Sequence, residues 1–172
     1  MLILAASNGH NLTLAARVAQ EAQLQGHVCH VLDLVALGLP LYTPAAEAAG
    51  GGGHPGVEEL AHQLRALGRL WVCAPEYNGS LPPTLNNALA WLSRGSADFR
   101  ELFSGLPVAL SSHSGGGGQK VLSAMRLQFA HLGCSVLGRE LLSSSQKPAN
   151  PASITAMVAE LQRLAPAVAP PG

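Results

Sequence analysis

Short apolar runs alternate along this chain with stretches whose apolar residues recur every three or four positions. Leu2 to Ala6 is a continuous apolar run, the pattern of a strand buried on both faces. Leu14, Ala15, Val18, Ala19 and Ala22 follow at helical spacing and predict an amphipathic helix. Val28 to Leu34 reads as a second strand. Val57, Leu60, Ala61, Leu64 and Leu67 stripe a second helix, and Leu70 to Ala74 reads as a third strand. Pro82 and Pro83 suit a helix start, where a missing N–H costs nothing, and Leu85, Ala88, Leu89 and Leu92 continue that helix.

Leu106 to Leu110 is the fourth strand. Val121, Met125, Phe129 and Leu132 stripe a helix that Gly133 is placed to end. Cys134 to Leu137 begins a fifth strand, and Ile154, Met157, Val158, Leu161 and Leu164 mark a last helix, with a frayed tail from Pro166 to Gly172. Strands alternating with helices predict an α/β protein whose parallel sheet is covered on both faces. For five strands the expected arrangement is a flavodoxin-like three-layer sandwich of order 2-1-3-4-5, with residues 1–165 as a single domain. Gly50 to Gly53 falls in the long link after the second strand and is expected to be a surface loop.

In such a sheet, ligands bind at the carboxyl ends of the strands beside the point where strand order reverses. Three loops there have unusual composition. Ser7-Asn8-Gly9-His10-Asn11-Leu12-Thr13 offers hydroxyls, amides and backbone N–H groups at a helix start, suited to a phosphate. Asn11 or Thr13 equally suits a plain helix cap. The loop carries neither a Walker lysine nor a GxGxxG fingerprint, which sets aside nucleoside triphosphates and the dinucleotide-binding fold. Pro75 to Pro83 follows the third strand; Asn78-Gly79 there can take positive φ, and the Tyr77 ring either brackets a flat heterocycle or packs down. Ser111 to Gly118 follows the fourth strand, and its four glycines let backbone donors approach a ligand closely. No glycine stands two residues before Ser114 and no aspartate follows it, so the hydrolase arrangement fails.

Composition narrows the field further. The chain has 172 residues, 48% hydrophobic and 12% charged, with ten basic residues against ten acidic. A zero charge sum gives no electrostatic case for nucleic acid or an anionic membrane. No apolar run approaches the ~18 residues of a membrane span. The start lacks the basic lead and length of a signal peptide, so the expectation is a cytoplasmic protein. The three cysteines are too widely spaced for a disulfide framework, and the seven histidines show no ligand spacing, so no metal is expected. The sparse charge points to association between copies.

The run Pro75-Glu76-Tyr77-Asn78-Gly79-Ser80-Leu81-Pro82-Pro83-Thr84-Leu85-Asn86-Asn87-Ala88-Leu89-Ala90-Trp91-Leu92-Ser93-Arg94 closely resembles the signature of the NADPH-dependent FMN reductase family, which includes flavin, quinone, azo-dye and chromate reductases. Gly9 to Ala15, Leu39-Pro40-Leu41-Tyr42, and Ser114 through Gly133 resemble further family segments, so the likeness covers nearly the whole chain. The resemblance implies that Ser7, Asn11, Leu12 and Thr13 hold the phosphate of FMN. It implies that Pro75, Glu76, Tyr77, Asn78 and Gly79 line the ribityl chain and ring, with Ser112, His113, Ser114 and Gly115 at the pyrimidine edge. It further implies NADPH or NADH as electron donor, a small-molecule acceptor, a ping-pong cycle without a side-chain acid or base, and a homodimer or homotetramer. The helix from Pro83 to Arg94, with Trp91, is then the candidate interface, unless Trp91 is buried within one subunit. The chain departs from the family in a shortened first loop that opens Ala6-Ser7 and has no arginine, which leaves the phosphate to neutral donors and the helix N-terminus. The rival readings are a flavodoxin-type electron carrier, a class that tends to be strongly acidic, and a relative that has lost its flavin.

Overall fold

The computed structural model describes residues 1–94 and 96–164, and the tail expected to fray lies outside them. The chain runs β1 (Leu2–Ala5), α1 (His10–Leu24), β2 (His30–Asp33), α2 (Leu34–Leu37), α3 (Pro44–Ala49), α4 (Pro55–Leu67), β3 (Leu70–Cys73), α5 (Pro83–Leu92), β4 (Pro107–His113), α6 (Gln119–His131), β5 (Ser135–Ser143) and α7 (Pro151–Arg163). All the strands pair in parallel, in the order β2-β1-β3-β4-β5. The expected topology is therefore the observed one, with the reversal of strand order falling between β1 and β3.

The apolar runs became strands because both of their faces are covered. Leu2 and Leu4 of β1 and Val72 of β3 face a core closed by Leu60, Leu85, Met125 and Phe129, from α4, α5 and α6. Their neighbours Ile3, Ala5, Trp71 and Cys73 face a second core closed by Leu14 and Val18 of α1 and by Ile154, Met157 and Leu161 of α7. Every residue of β1 and β3 is buried. At ~25 cal/mol per Å² of apolar surface, these continuous runs dominate the stabilisation of the sheet.

Several boundaries differ from the sequence reading. Val28 and Cys29 precede β2, and Leu34 opens α2, because the Asp33 carboxylate accepts from Val35 N at 2.8 Å and caps a helical turn there. The long link after β2 also holds a short helix that the periodicity did not mark, α3, capped by Thr43 with Pro44 at its first turn. The Gly50 to Gly53 run ends that helix, with Gly51 and Gly52 at positive φ. The fourth strand runs on through Ser111, Ser112 and His113, so these are strand residues rather than loop. The fifth strand extends to Ser143 across a register irregularity: β4 advances from Val108 to Leu110 while β5 advances from Val136 to Glu140. Arg126 of α6 stabilises this bulge, donating to Leu137 O and pairing with Glu140.

Trp91 is buried within its own chain, its indole N–H donating to Pro40 O at 2.8 Å. It is therefore not an interface anchor. No helix among the described residues is long and apolar enough to cross a membrane.

Candidate active site

The carboxyl ends of β1, β3 and β4 stand side by side, tied by Ala6 N to Cys73 O at 2.9 Å and Ala74 N to Ser111 O at 3.1 Å. The three loops that follow these strands wall a cleft of about 440 Å³, within the size range of small-molecule sites. Ser7, Asn8, Gly9 and His10 form one wall, Pro75, Glu76 and Tyr77 another, and His113, Ser114 and Gly115 a third, with Ser145 at the rim.

The first wall is the N-terminus of α1. Its cap residue is Gly9, and no side chain caps the helix, so first-turn N–H groups and the positive end of the helix dipole are left for a ligand. Asn11 does not serve as that cap. Its side chain is buried and turned inward, where Nδ2 donates to His113 O at 3.0 Å and Oδ1 accepts from His113 N at 2.9 Å. This two-point clamp fastens the start of α1 to the end of β4, and it leaves Asn11 only its backbone N–H to offer. Leu12 is partly buried against the core beneath α1, and Thr13 faces a neighbouring hollow rather than the cleft.

In the second wall, Asn78 and Gly79 have φ of 51° and 74° and form a tight turn closed by reciprocal backbone bonds between Tyr77 and Ser80. Neither residue lines the cleft, and Gly79 is set against the Lys120 side chain. Tyr77 is half exposed, so its ring is open to a ligand. The Glu76 carboxylate accepts from Lys120 N at 3.1 Å and Val121 N at 3.3 Å, capping α6 and holding the second and third walls together.

In the third wall, Gly115 has no atom within 4 Å of where a Cβ would stand, and its backbone lies open. His113 Nδ1 lies 3.1 Å from Ser143 Oγ, and its ring stacks on His10 with centroids 4.5 Å apart. Burial, helped by the charge His10 can carry, lowers the pKa of His113 from its ordinary value. Ser112 does not reach the cleft. Its hydroxyl is buried without a partner and packs under Gly118. Behind the wall, Trp71 Nε1 donates to Ser111 Oγ at 2.9 Å, which stiffens the β3–β4 floor. Among the described residues no cluster of histidine, cysteine or acidic side chains could hold a metal ion.

The structure thus brings Ser7, Pro75, Glu76, Tyr77, His113, Ser114, Gly115 and the Asn11 backbone to one cleft, and leaves Leu12, Thr13, Asn78, Gly79 and Ser112 outside it. Asn8, Gly9, His10 and Ser145 line the cleft without having been singled out. The first three lie inside a loop already marked by its composition. Ser145 follows β5, whose true end is hidden in the sequence by the bulge at Gly138-Arg139-Glu140.

A doubly wound sheet with a polar cleft at its switch point defines a flavodoxin-like α/β protein. The model of the NADPH-dependent FMN reductase family matches residues 1–148, and the chain belongs to that family. It is 38% identical over 114 residues to a probable NADPH:quinone oxidoreductase 1 of Oryza sativa, covering 66% of this chain and 54% of that protein. It is 39% identical over 79 residues to an NAD(P)H-dependent FMN reductase of Pseudomonas aeruginosa, covering 46% of this chain and 40% of that protein. The chain thus spans about half the length of these curated relatives, or less. Among solved structures, an oxidoreductase from Corynebacterium diphtheriae superposes with TM-score 0.73 at 15% identity, over 95% of this chain and 94% of the other. The flavoenzyme FerB from Paracoccus denitrificans superposes with TM-score 0.73 at 16% identity, over 95% and 96%. At such identities these two likenesses speak for the fold alone.

Proposed function

We propose that the protein is an NAD(P)H-dependent, FMN-containing oxidoreductase that reduces a flavin, a quinone or a similar small acceptor. The observation that carries this reading is the cleft itself: an uncapped α1 N-terminus, an open glycine-rich backbone and a half-exposed Tyr77 ring converge on one space. These groups fit a phosphorylated, flat heterocycle. Backbone N–H groups of the Gly9 to Asn11 turn, with the Ser7 hydroxyl, would hold the phosphate. Pro75 to Tyr77 would line the ribityl chain and ring, and backbone donors at Ser114 and Gly115 would face the pyrimidine edge, where negative charge gathers on reduction. Bound FMN would supply the hydride-accepting and electron-donating chemistry. The chain's own part is to fix the ring and leave one face open, so that donor and acceptor use the same opening in turn, which is a ping-pong order.

On this reading residues 1–165 are one FMN-binding unit working in the cytoplasm, and the active form is a homodimer or homotetramer. An absorption spectrum of the purified protein with added FMN, followed by anaerobic addition of NADPH or NADH, tests the activity. Flavin bands that shift on binding and bleach promptly with nicotinamide are the expected result. Binding without bleaching would instead make the protein an electron carrier, and no binding would remove the enzymatic reading.

A further inference from the structure

A second hollow of about 200 Å³ adjoins the cleft, sharing His10, His113 and Ser145 with it. Its α1 wall continues from His10 through Thr13 to Arg17, one helical face, and the Ser143 to Ser145 run lines the opposite side. Arg17 takes part in no ion pair and in no side-chain hydrogen bond among the described residues. The acid one turn further along, Glu21, is held elsewhere by the Thr155 hydroxyl at 3.2 Å. The cation therefore lines the hollow with its donors uncommitted, beside the Thr13 and Ser145 side chains.

Its placement relative to the first turn matters. Seven residues separate His10 from Arg17, about 10 Å along the axis at ~1.5 Å per residue. Helical side chains lean toward the N-terminus, so the guanidinium reaches back toward the turn where the proposed function seats a phosphate. Guanidinium binds phosphate through paired N–H donors, and the Thr13 and Ser145 hydroxyls can add to them. Two separate anions this close would repel each other at an effective dielectric well below that of water, whereas a pyrophosphate already carries its second phosphate in a covalent link.

Resting on the reading of the cleft as an FMN site, we propose that this hollow is a second phosphate subsite contiguous with the first, and that it takes the adenylate phosphate of a dinucleotide flavin. The protein then holds FAD as well as FMN, with Arg17 as the discriminating residue.

Titration of flavin-free protein with FMN and with FAD, followed by flavin fluorescence, tests this in the wild type and in Arg17→Gln. Glutamine keeps the helix propensity of the position, and an unchanged circular dichroism melt verifies the fold. The expected result is FAD binding no weaker than FMN, a roughly tenfold loss of FAD affinity in Arg17→Gln, and FMN affinity within about twofold, the tenfold loss matching one charge-assisted contact. Wild-type FAD binding tenfold weaker than FMN binding would overturn the proposal, as would equal loss of both flavins in the variant. With FMN loaded, the ratio of kcat/KM for NADPH over NADH is expected to stay unchanged in Arg17→Gln. A fall in that ratio would assign the subsite to the donor's own phosphate and overturn the flavin assignment. Binding of FMN without FAD defeats this inference alone, while binding of neither flavin defeats the functional reading as well.

Discussion

Asn11 does at the residue scale what a ligand-binding loop most needs: it fixes the loop before the ligand arrives. Its amide matches the backbone of His113 donor for acceptor, as a neighbouring strand would. Asn11→Ala leaves one N–H and one C=O of His113 without their partners in a part-buried setting. The expected loss is about 2 kcal/mol, from a typical cost of ~1–3 kcal/mol for orphaned groups. Urea denaturation measures it through the midpoint at unchanged slope. A loss under about 0.5 kcal/mol would mean that solvent or local shifts satisfy the strand end without the clamp. The same residue shows why side-chain roles resist sequence reading. An asparagine at a helix start suits a cap, a phosphate ligand or a tertiary clamp equally well, and only the position of β4 decides among them.

Among the elements, the turn from β4 into α6 is tightly constrained. Gly118 has φ of 74°, and a Cβ there would lie 2.7 Å from Ser112 Oγ and 2.9 Å from Ser112 Cβ. The left-handed backbone costs a non-glycine residue roughly 1–2 kcal/mol, and crowding a buried neighbour costs about 1–3 kcal/mol more. Gly118→Ala is therefore expected to destabilise the protein by about 2–5 kcal/mol and to weaken FMN binding by moving the third wall. Thermal melts and FMN titration of the variant check both effects. A variant as stable as the wild type would show that Ser112 can swing aside. The glycine run was visible in the sequence as a place where backbone could approach a ligand. Which of its members is sterically required was not, because the crowding atom belongs to a serine that the sequence placed in the loop and the structure places in the strand.

For the whole molecule, the sparse charge remains the main sign of association. The structure adds exposed Leu24, Val28, Leu41 and Leu127 to it, and takes Trp91 away as the anchor. The proposed pairing thus has to rest on aliphatic surface rather than on an indole. Sedimentation equilibrium at micromolar concentration is expected to return a mass of two or four chains. A single-chain mass across that range would leave the cleft to work alone and remove the oligomer from the proposal.

The alternation of apolar runs and helical stripes determined the class, the element count of the sheet and its order. Runs buried on both faces can only be central parallel strands, and right-handed crossovers between them leave few topologies. Composition likewise marked the three loops that meet at the switch point, since glycine, proline and small polar residues are required wherever backbone must turn sharply or donate to a ligand. Periodicity carried no information about how far β4 and β5 extend, because serines, a histidine and the Gly138-Arg139-Glu140 bulge interrupt the apolar pattern where the strands continue. Nor did it say that Asn11 faces inward or that Glu76 caps α6. Those are contacts between residues far apart in the chain, and only packing of the finished layers brings them within a few ångströms of one another.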